Sequence, residues 1–230
     1  RAKERRARIV HVGESGRAIG GRRERTFAFG TVEELPEETR ATSPTLYADN
    51  LWPAEPAAFR TAAEAYWRAC RLLADDLLEL FALALGLDTD EIVGHCRSTT
   101  STGNVNWYWP HRHAAAESGQ YRIGPHTDFG TITILDREPG LGGLQVKDDD
   151  DNWIDAPIVA GSLIVNTGDM LRQWTNDRWC SNEHRVLPPS ADAPDEELIS
   201  LVFFHEPDAE AVIAPFPTCI SASDPARYEP

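Results

Sequence analysis

Beyond "TDEIVGHCR" the chain becomes a succession of short β-branched and aromatic runs with no helix-length periodic segment between them, and this restricts the fold more than any other feature. The runs are "NVNWYWP", "GTITILDR", "GGLQVKD", "NWIDAPI", "GSLIVNTGDML", "HRVLP" and "LISLVFFHE", each bounded by Gly, Pro, Asn or Asp. Parallel strands need crossover connections of a dozen or more residues, usually helical, so seven or so strands this closely spaced pair antiparallel. A sandwich or barrel is the expected outcome, mainly β with helices packed outside.

The helical part lies upstream. Tyr66, Cys70, Leu73, Leu77, Leu80 and Ala84 recur at alternating steps of four and three, which keeps them on one helical face. The spacing predicts a helix from about Ala57 to Leu85, stopped by Gly86. Ala74, Phe81, Leu83 and Leu85 widen its apolar face, as packing against a large sheet requires. Residues 1–50 are polar and are expected to be irregular, with "RIVHV" and "RTFAFG" as the short ordered pieces and room for one strand.

A chain of 230 residues is long enough for one domain with a sizeable core. The expected organisation is an N-terminal segment, 1–50, packing on a helix-plus-β domain, 51–230. There is no initiating Met, and the chain opens on "RAKERRAR", so the natural start is expected to lie upstream.

Charge narrows the partners. Twenty-two Lys and Arg stand against 37 Asp and Glu, a formal charge of −15 that repels phosphate backbones and anionic membrane surfaces. Nucleic acid is not expected, and no stretch approaches the roughly 18 apolar residues of a membrane span. Cys70, Cys96, Cys180 and Cys219 form no CxxC pair, so free or buried thiols in a reducing cytoplasm are expected. The run Asp148 to Asp151, followed by Asn152, reads as a solvated hairpin turn, with a calcium loop as the alternative. "GLGGLQV" lacks the Lys and Ser/Thr of a phosphate loop, so Gly142 and Gly143 are read as permitting a tight bend.

The chemistry concentrates in "YRIGPHTDFGTITIL". On a strand, residues two apart share a face, so His126 and Asp128 would project together. They form either a bidentate platform for a divalent metal or a hydrogen-bonded pair on a half-buried strand. His184, fifty-six positions after Asp128, opens another strand-like run that a returning sheet could bring alongside. Two His and one carboxylate with open positions opposite are the facial triad of non-haem Fe(II) oxygenases. His111-Arg112-His113 is a second cluster, read as a loop surface.

"HTDFGTITIL", "GGLQV", "NWIDAPIVAGSLIVNTGDMLRQWTND", "HRVLPP" and "SLVFFHEPD" occur in this order, and together resemble the isopenicillin-N-synthase-like branch of the iron(II)/2-oxoglutarate-dependent oxygenases. The resemblance runs from about Ser43 to the C-terminus and includes "NLWP" before the helix. It implies a double-stranded β-helix, or jelly roll. It also implies Fe(II) held by His126, Asp128 and His184, 2-oxoglutarate and O2 as co-substrates, and oxidation of a small-molecule metabolite with release of succinate. A monomer is expected. Asn106 and Tyr108 are the positions carried over toward the co-substrate, while Trp107 packs outward and Trp109 adds to the aromatic content.

One position departs from the pattern. The family's Arg-x-Ser, which anchors the far carboxylate of 2-oxoglutarate, falls on Leu198 and Ser200, so the serine is present and the arginine is not. A carboxylate buried against leucine would lack its charge-assisted, bidentate partner. Arg122 and Arg172 flank pocket-forming segments and are candidates to replace it; Arg185, adjacent to His184, should point to the opposite face. An Fe(II) oxidase that uses O2 without 2-oxoglutarate, and a catalytically silent metal-binding jelly roll, are the alternatives.

Overall fold

The computed structural model describes residues 24–108, 121–156, 158–188 and 195–229. "RIVHV", Trp109 and the His111-Arg112-His113 cluster lie outside the described residues. Strands in chain order are β1 (Glu24–Phe29), β2 (Thr102–Tyr108), β3 (Ile123–His126), β4 (Ile132–Arg137), β5 (Leu144–Lys147), β6 (Trp153–Asp155), β7 (Ile164–Thr167), β8 (His184–Val186) and β9 (Leu198–His205). Helices are α1 (Glu37–Thr42), α2 (Ala58–Ala84), α3 (Asp90–Val93) and α4 (Asp169–Trp174).

The strands form two antiparallel sheets, β1-β2-β9-β4-β7 and β3-β8-β5-β6. Antiparallel pairing is what the strand spacing implied, and the jelly roll is what the resemblance implied. "RTFAFG" supplies β1, which lengthens the larger sheet by pairing with β2.

Helix α2 matches the expected span within a residue at each end. It closes as the glycine predicts: Gly86 takes φ +71°, and the Leu87 and Gly86 N–H groups bond the Ala82 and Leu83 carbonyls in a Schellman arrangement. The buried face is rotated from the predicted one. Ala63, Trp67, Cys70, Ala74, Leu78 and Ala82 face the sheet, whereas Leu80 and Leu83 are exposed. Trp67 is the physical reason. Its indole is fully buried and meets Phe203 of β9 edge-to-face with centroids 5.5 Å apart, so the largest side chain sets the angle of the helix.

Two predicted strands are shorter. "NWIDAPI" is a strand only over Trp153–Asp155, and "GSLIVNTGDML" pairs only over Ile164–Thr167 before turning at Gly168 into α4. The expectation that no helix interrupts the strands is corrected here. The acidic run is the β5–β6 hairpin turn: Asp148 Oδ1 accepts from the Asp150 and Asn152 N–H groups at 3.0 and 2.8 Å, and Asp151 takes φ +64°.

Strand β9 separates two environments by its alternation. Phe203 and His205 face α2, while Leu198, Ser200, Val202 and Phe204 face the interior of the roll. His205 is fully buried, with Nδ1 2.7 Å from Thr131 Oγ1, and burial pushes its pKa from 6.5 down to about 3. Above pH 6.5 both folded and unfolded states hold it neutral. As the pH falls from 6.5 toward 3 only the unfolded chain takes the proton, so stability declines by at most about 1.4 kcal/mol per pH unit from this group. Urea denaturation between pH 7 and 4.5 should show this slope, and His205→Asn, which keeps a partner for Thr131, should flatten it.

Candidate metal centre

His126, Asp128 and His184 converge: their ligand atoms all lie within 4.8 Å of one another. The strand-period argument accounts for only part of this. β3 ends at His126, and Asp128 sits beyond it in the turn toward β4, so the two are not alternate residues of one strand. His126 and His184 are direct cross-strand partners in the β3–β8 pair, with ring centroids 4.2 Å apart.

The histidines share one hydrogen-bond pattern. His126 Nδ1 lies 2.8 Å from the Gly124 carbonyl and His184 Nδ1 lies 3.0 Å from the Asn182 carbonyl. A proton on each Nδ1 is donated to that carbonyl, which leaves the Nε2 lone pairs free. Both Nε2 atoms face Asp128 Oδ1, at 3.8 and 3.6 Å. Burial, and then the neighbouring His184 imidazole, pull the His126 pKa down and keep the ring in the neutral form that a metal requires.

Asp128 is held from behind. Its Oδ2 accepts from Thr133 Oγ1 of β4 at 2.6 Å and from Asn166 Nδ2 of β7 at 2.7 Å, so Oδ1 alone faces the histidines. Thr133 and Asn166 are register partners on adjacent strands, which explains why they reach the same oxygen. The backbone is fixed too: Asp169 N–H donates to the Asp128 carbonyl at 2.8 Å, and Met170 N–H to the Phe129 and Gly130 carbonyls at 3.1 Å. The first turn of α4 is thus bonded to the turn that carries Asp128. Thr133→Val is expected to weaken Fe(II) binding about tenfold, and addition of Asn166→Ala about a hundredfold, read by anaerobic metal titration. Unchanged affinity in the double variant would remove the orienting role.

The group therefore fits a divalent metal: two neutral imidazole nitrogens and one carboxylate oxygen, oriented by second partners and open on one side. That side is at His126, whose side chain is 39% exposed, against 5% for Asp128 and 15% for His184.

Farther into the roll, Asn106 lies opposite Ser200 and Tyr108 opposite Leu198 across the β2–β9 pair, and all four are buried. Asn106 Oδ1 accepts from Thr26 Oγ1 at 2.8 Å, and its Nδ2 lies 3.4 Å from Ser200 Oγ. Arg122 is buried with its guanidinium 5.1 Å over the Tyr108 ring. Arg172 is not at this site: its guanidinium is committed to Asp177 and Tyr228, at 2.9 and 3.1 Å, because α4 turns it toward the C-terminal segment. Arg185 bonds Gln145 and stacks 4.0 Å from the Trp153 ring, on the opposite face from His184 as the alternation required. Trp107 shares the outer face with Ile199.

Thr133, Asn166 and Gly168 were not singled out from the sequence. The signal for Thr133 was legible, since "TITI" alternates polar and apolar residues and marks Thr133 as facing away from Ile132 and Ile134. Nothing in "NTGD" announced that Asn166 reaches a carboxylate thirty-eight positions earlier.

Residues 100–207 match the sequence model of the 2OG-Fe(II) oxygenase superfamily. A validamycin A dioxygenase of Streptomyces hygroscopicus subsp. limoneus is 47% identical over 171 residues, which is 74% of this chain and 47% of that protein. A 2-oxoglutarate-dependent dioxygenase of Dothideomycetidae sp. strain 11243 is 34% identical over 75% of this chain and 53% of its own length. The chain thus spans about half the length of these curated relatives. Among solved structures, a full-length Neurospora crassa protein in complex with alpha-KG superposes with a TM-score of 0.78 at 26% identity, covering 90% of this chain and 62% of that one. A 2OG-Fe(II) oxygenase family protein from Caulobacter crescentus gives 0.79 at 28% identity, covering 93% and 68%. The roll, the histidine–aspartate–histidine group inside it and these likenesses agree, and the chain belongs to the 2OG-Fe(II) oxygenase superfamily.

Proposed function

We propose that this chain is the catalytic core of a non-haem Fe(II), 2-oxoglutarate-dependent oxygenase that oxidises a C–H bond of a small-molecule metabolite, with succinate and CO2 as co-products. The observation that carries this reading is the orientation of the triad, with two Nε2 atoms and Asp128 Oδ1 turned toward one point. His126, Asp128 and His184 are the proposed iron ligands. Iron so held supplies a site at which 2-oxoglutarate and O2 react to generate the oxidant.

The chain's own residues prepare that site. Thr133 and Asn166 present one carboxylate oxygen and withhold the other. The Gly124 and Asn182 carbonyls fix both imidazoles. A single carboxylate leaves a bound dication with net positive charge, which favours an anionic chelating co-substrate. The walls from Asn106, Tyr108, Leu198 and Ser200 exclude water on the buried side, so substrate approaches from the side of His126.

The Dothideomycetidae relative is named as 2-oxoglutarate-dependent and the Neurospora crassa protein is in complex with alpha-KG, which favours this reading over an oxidase that dispenses with the co-substrate. Validamycin A is the first substrate to try, because the Streptomyces relative bears that name. Among the described residues no helix is long and apolar enough to cross a membrane. The free cysteines suit a reducing cytoplasm. The test is succinate release from Fe(II), 2-oxoglutarate and O2 over a panel of polar metabolites. Oxygen consumption with substrate oxidised and no 2-oxoglutarate spent would overturn the assignment in favour of the oxidase.

A further inference from the structure

A dicarboxylate that chelates a metal through one end must place its second carboxylate in the roll, where an unpaired anion costs several kcal/mol. Leu198 offers it nothing. The cation has to come from another interior position.

Strand β4 supplies one. Its residues alternate, with Ile132 and Ile134 packed toward α2 and Thr133, Leu135 and Arg137 facing inward. Arg137 is the register partner of Ser200, which is in turn the partner of Asn106, so the three form one row across β4, β9 and β2. Thr133, at the other end of the same face, holds Asp128. Four residues of strand, about 13 Å, therefore connect the metal group to Arg137.

The guanidinium has a built seat. Gly142 takes φ +59°, and a Cβ there would stand 1.0 Å from Arg137 Nη1, so the guanidinium lies directly against bare glycine backbone. Leu198 borders the same turn: its side chain reaches within 2.9 Å of where a Gly140 Cβ would be. The bend at Gly140 to Gly143 thus brings the cation beside the residue that lacks one. Nη2 donates to the Gly140 carbonyl at 3.2 Å. Nε and Nη1 are buried and have no hydrogen-bond partner among the described residues. Glu196, the neighbouring carboxylate, is taken up by the Leu141 and Gly142 N–H groups at 2.5 and 3.0 Å. A planar cation with two idle, buried donors has the complement of a carboxylate.

We propose that Arg137, with Ser200, anchors the carboxylate of 2-oxoglutarate distal to the metal and replaces the arginine absent at position 198. Arg122, the other cation of the described residues that faces the roll, instead lies over the Tyr108 ring with Nη2 3.4 Å from the Glu196 carbonyl. This inference rests on the 2-oxoglutarate reading above.

The test is an anaerobic titration of the Fe(II) protein, following the metal-to-ligand charge-transfer band, with 2-oxoglutarate and with 2-oxobutyrate, which chelates alike but lacks the distal carboxylate. Wild type should prefer 2-oxoglutarate by at least about tenfold. Arg137→Leu should raise the Kd for 2-oxoglutarate about 10- to 100-fold, leave 2-oxobutyrate and Fe(II) binding unchanged, and so abolish the preference. Arg137→Leu combined with Leu198→Arg should restore it. Absence of a band with either acid in wild type would overturn the co-substrate reading itself. A band with no preference in wild type overturns the role of Arg137 even if no variant folds. A preference that survives in Arg137→Leu, or is lost only in Arg122→Leu, overturns it as well.

Discussion

Asp128→Ala should abolish iron binding and turnover together. The substitution removes the only carboxylate among the three converging residues and leaves two donors, the buried Thr133 Oγ1 and the half-buried Asn166 Nδ2, without the oxygen they share. Each stranded donor costs about 1–3 kcal/mol, so the folded protein is weakened as well. Asp128→Asn separates the effects: it keeps the shape and an acceptor for Thr133 but removes the charge. Calorimetric titration with Mn(II) or Fe(II) should show loss of affinity greater than about 100-fold for the alanine variant, with succinate formation at background. Activity retained at the wild-type level would dismantle the metal assignment.

Gly168→Ala is the second large effect, and it comes from space rather than backbone conformation. A Cβ at Gly168 would stand 2.3 Å from the Gly130 carbonyl oxygen, 2.8 Å from its carbon and 3.1 Å from the Asp128 carbonyl oxygen. Those contacts are with backbone, so one of the two turns must move. The Gly168 N–H bonds the Thr131 carbonyl at 2.8 Å, and the next two N–H groups bond Asp128, Phe129 and Gly130, so the whole turn would shift with it. A loss of about 3 kcal/mol is expected in urea denaturation, with weaker metal binding in the fraction that remains folded. Gly94→Ala is the control: nothing lies within 4 Å of its added Cβ and the backbone there is helical, so its stability should be near wild type. Equal stabilities for the two variants would show that the approach of Gly168 to Gly130 is not needed.

The fold was legible where the local code repeats. Strand spacing from residue 102 onward demanded antiparallel pairing, and Gly86 ended α2 where its freedom of φ predicted. The helix face was misread by part of a turn because periodicity counts apolar residues without weighing them. Trp67 outweighs Leu80 and Leu83 once it has Phe203 to pack against. Short α4 escaped notice because six residues cannot display a period, and its stability comes from bonds to the 128–130 turn rather than from its own sequence.

The site was legible in its three converging residues and illegible in its supports. His126, Asp128 and His184 are chemically conspicuous residues, and the family pattern joined them across fifty-eight positions. Thr133, Asn166 and Arg137 are ordinary residues on ordinary strands; their roles follow from which side chains share a row when β9, β4 and β7 lie side by side.

By itself the sequence determined the antiparallel class, the extent of the long helix, the three side chains proposed as iron ligands and the missing arginine at Leu198. Only the tertiary structure decided which oxygen of Asp128 is presented, why Gly168 cannot carry a side chain, and that Arg137 rather than Arg172 faces the roll's interior. The reason is physical. Hydrophobic period and turn chemistry act over a few residues and are written locally, whereas register between distant strands sets which polar atoms meet, and that is fixed only when the sheets close.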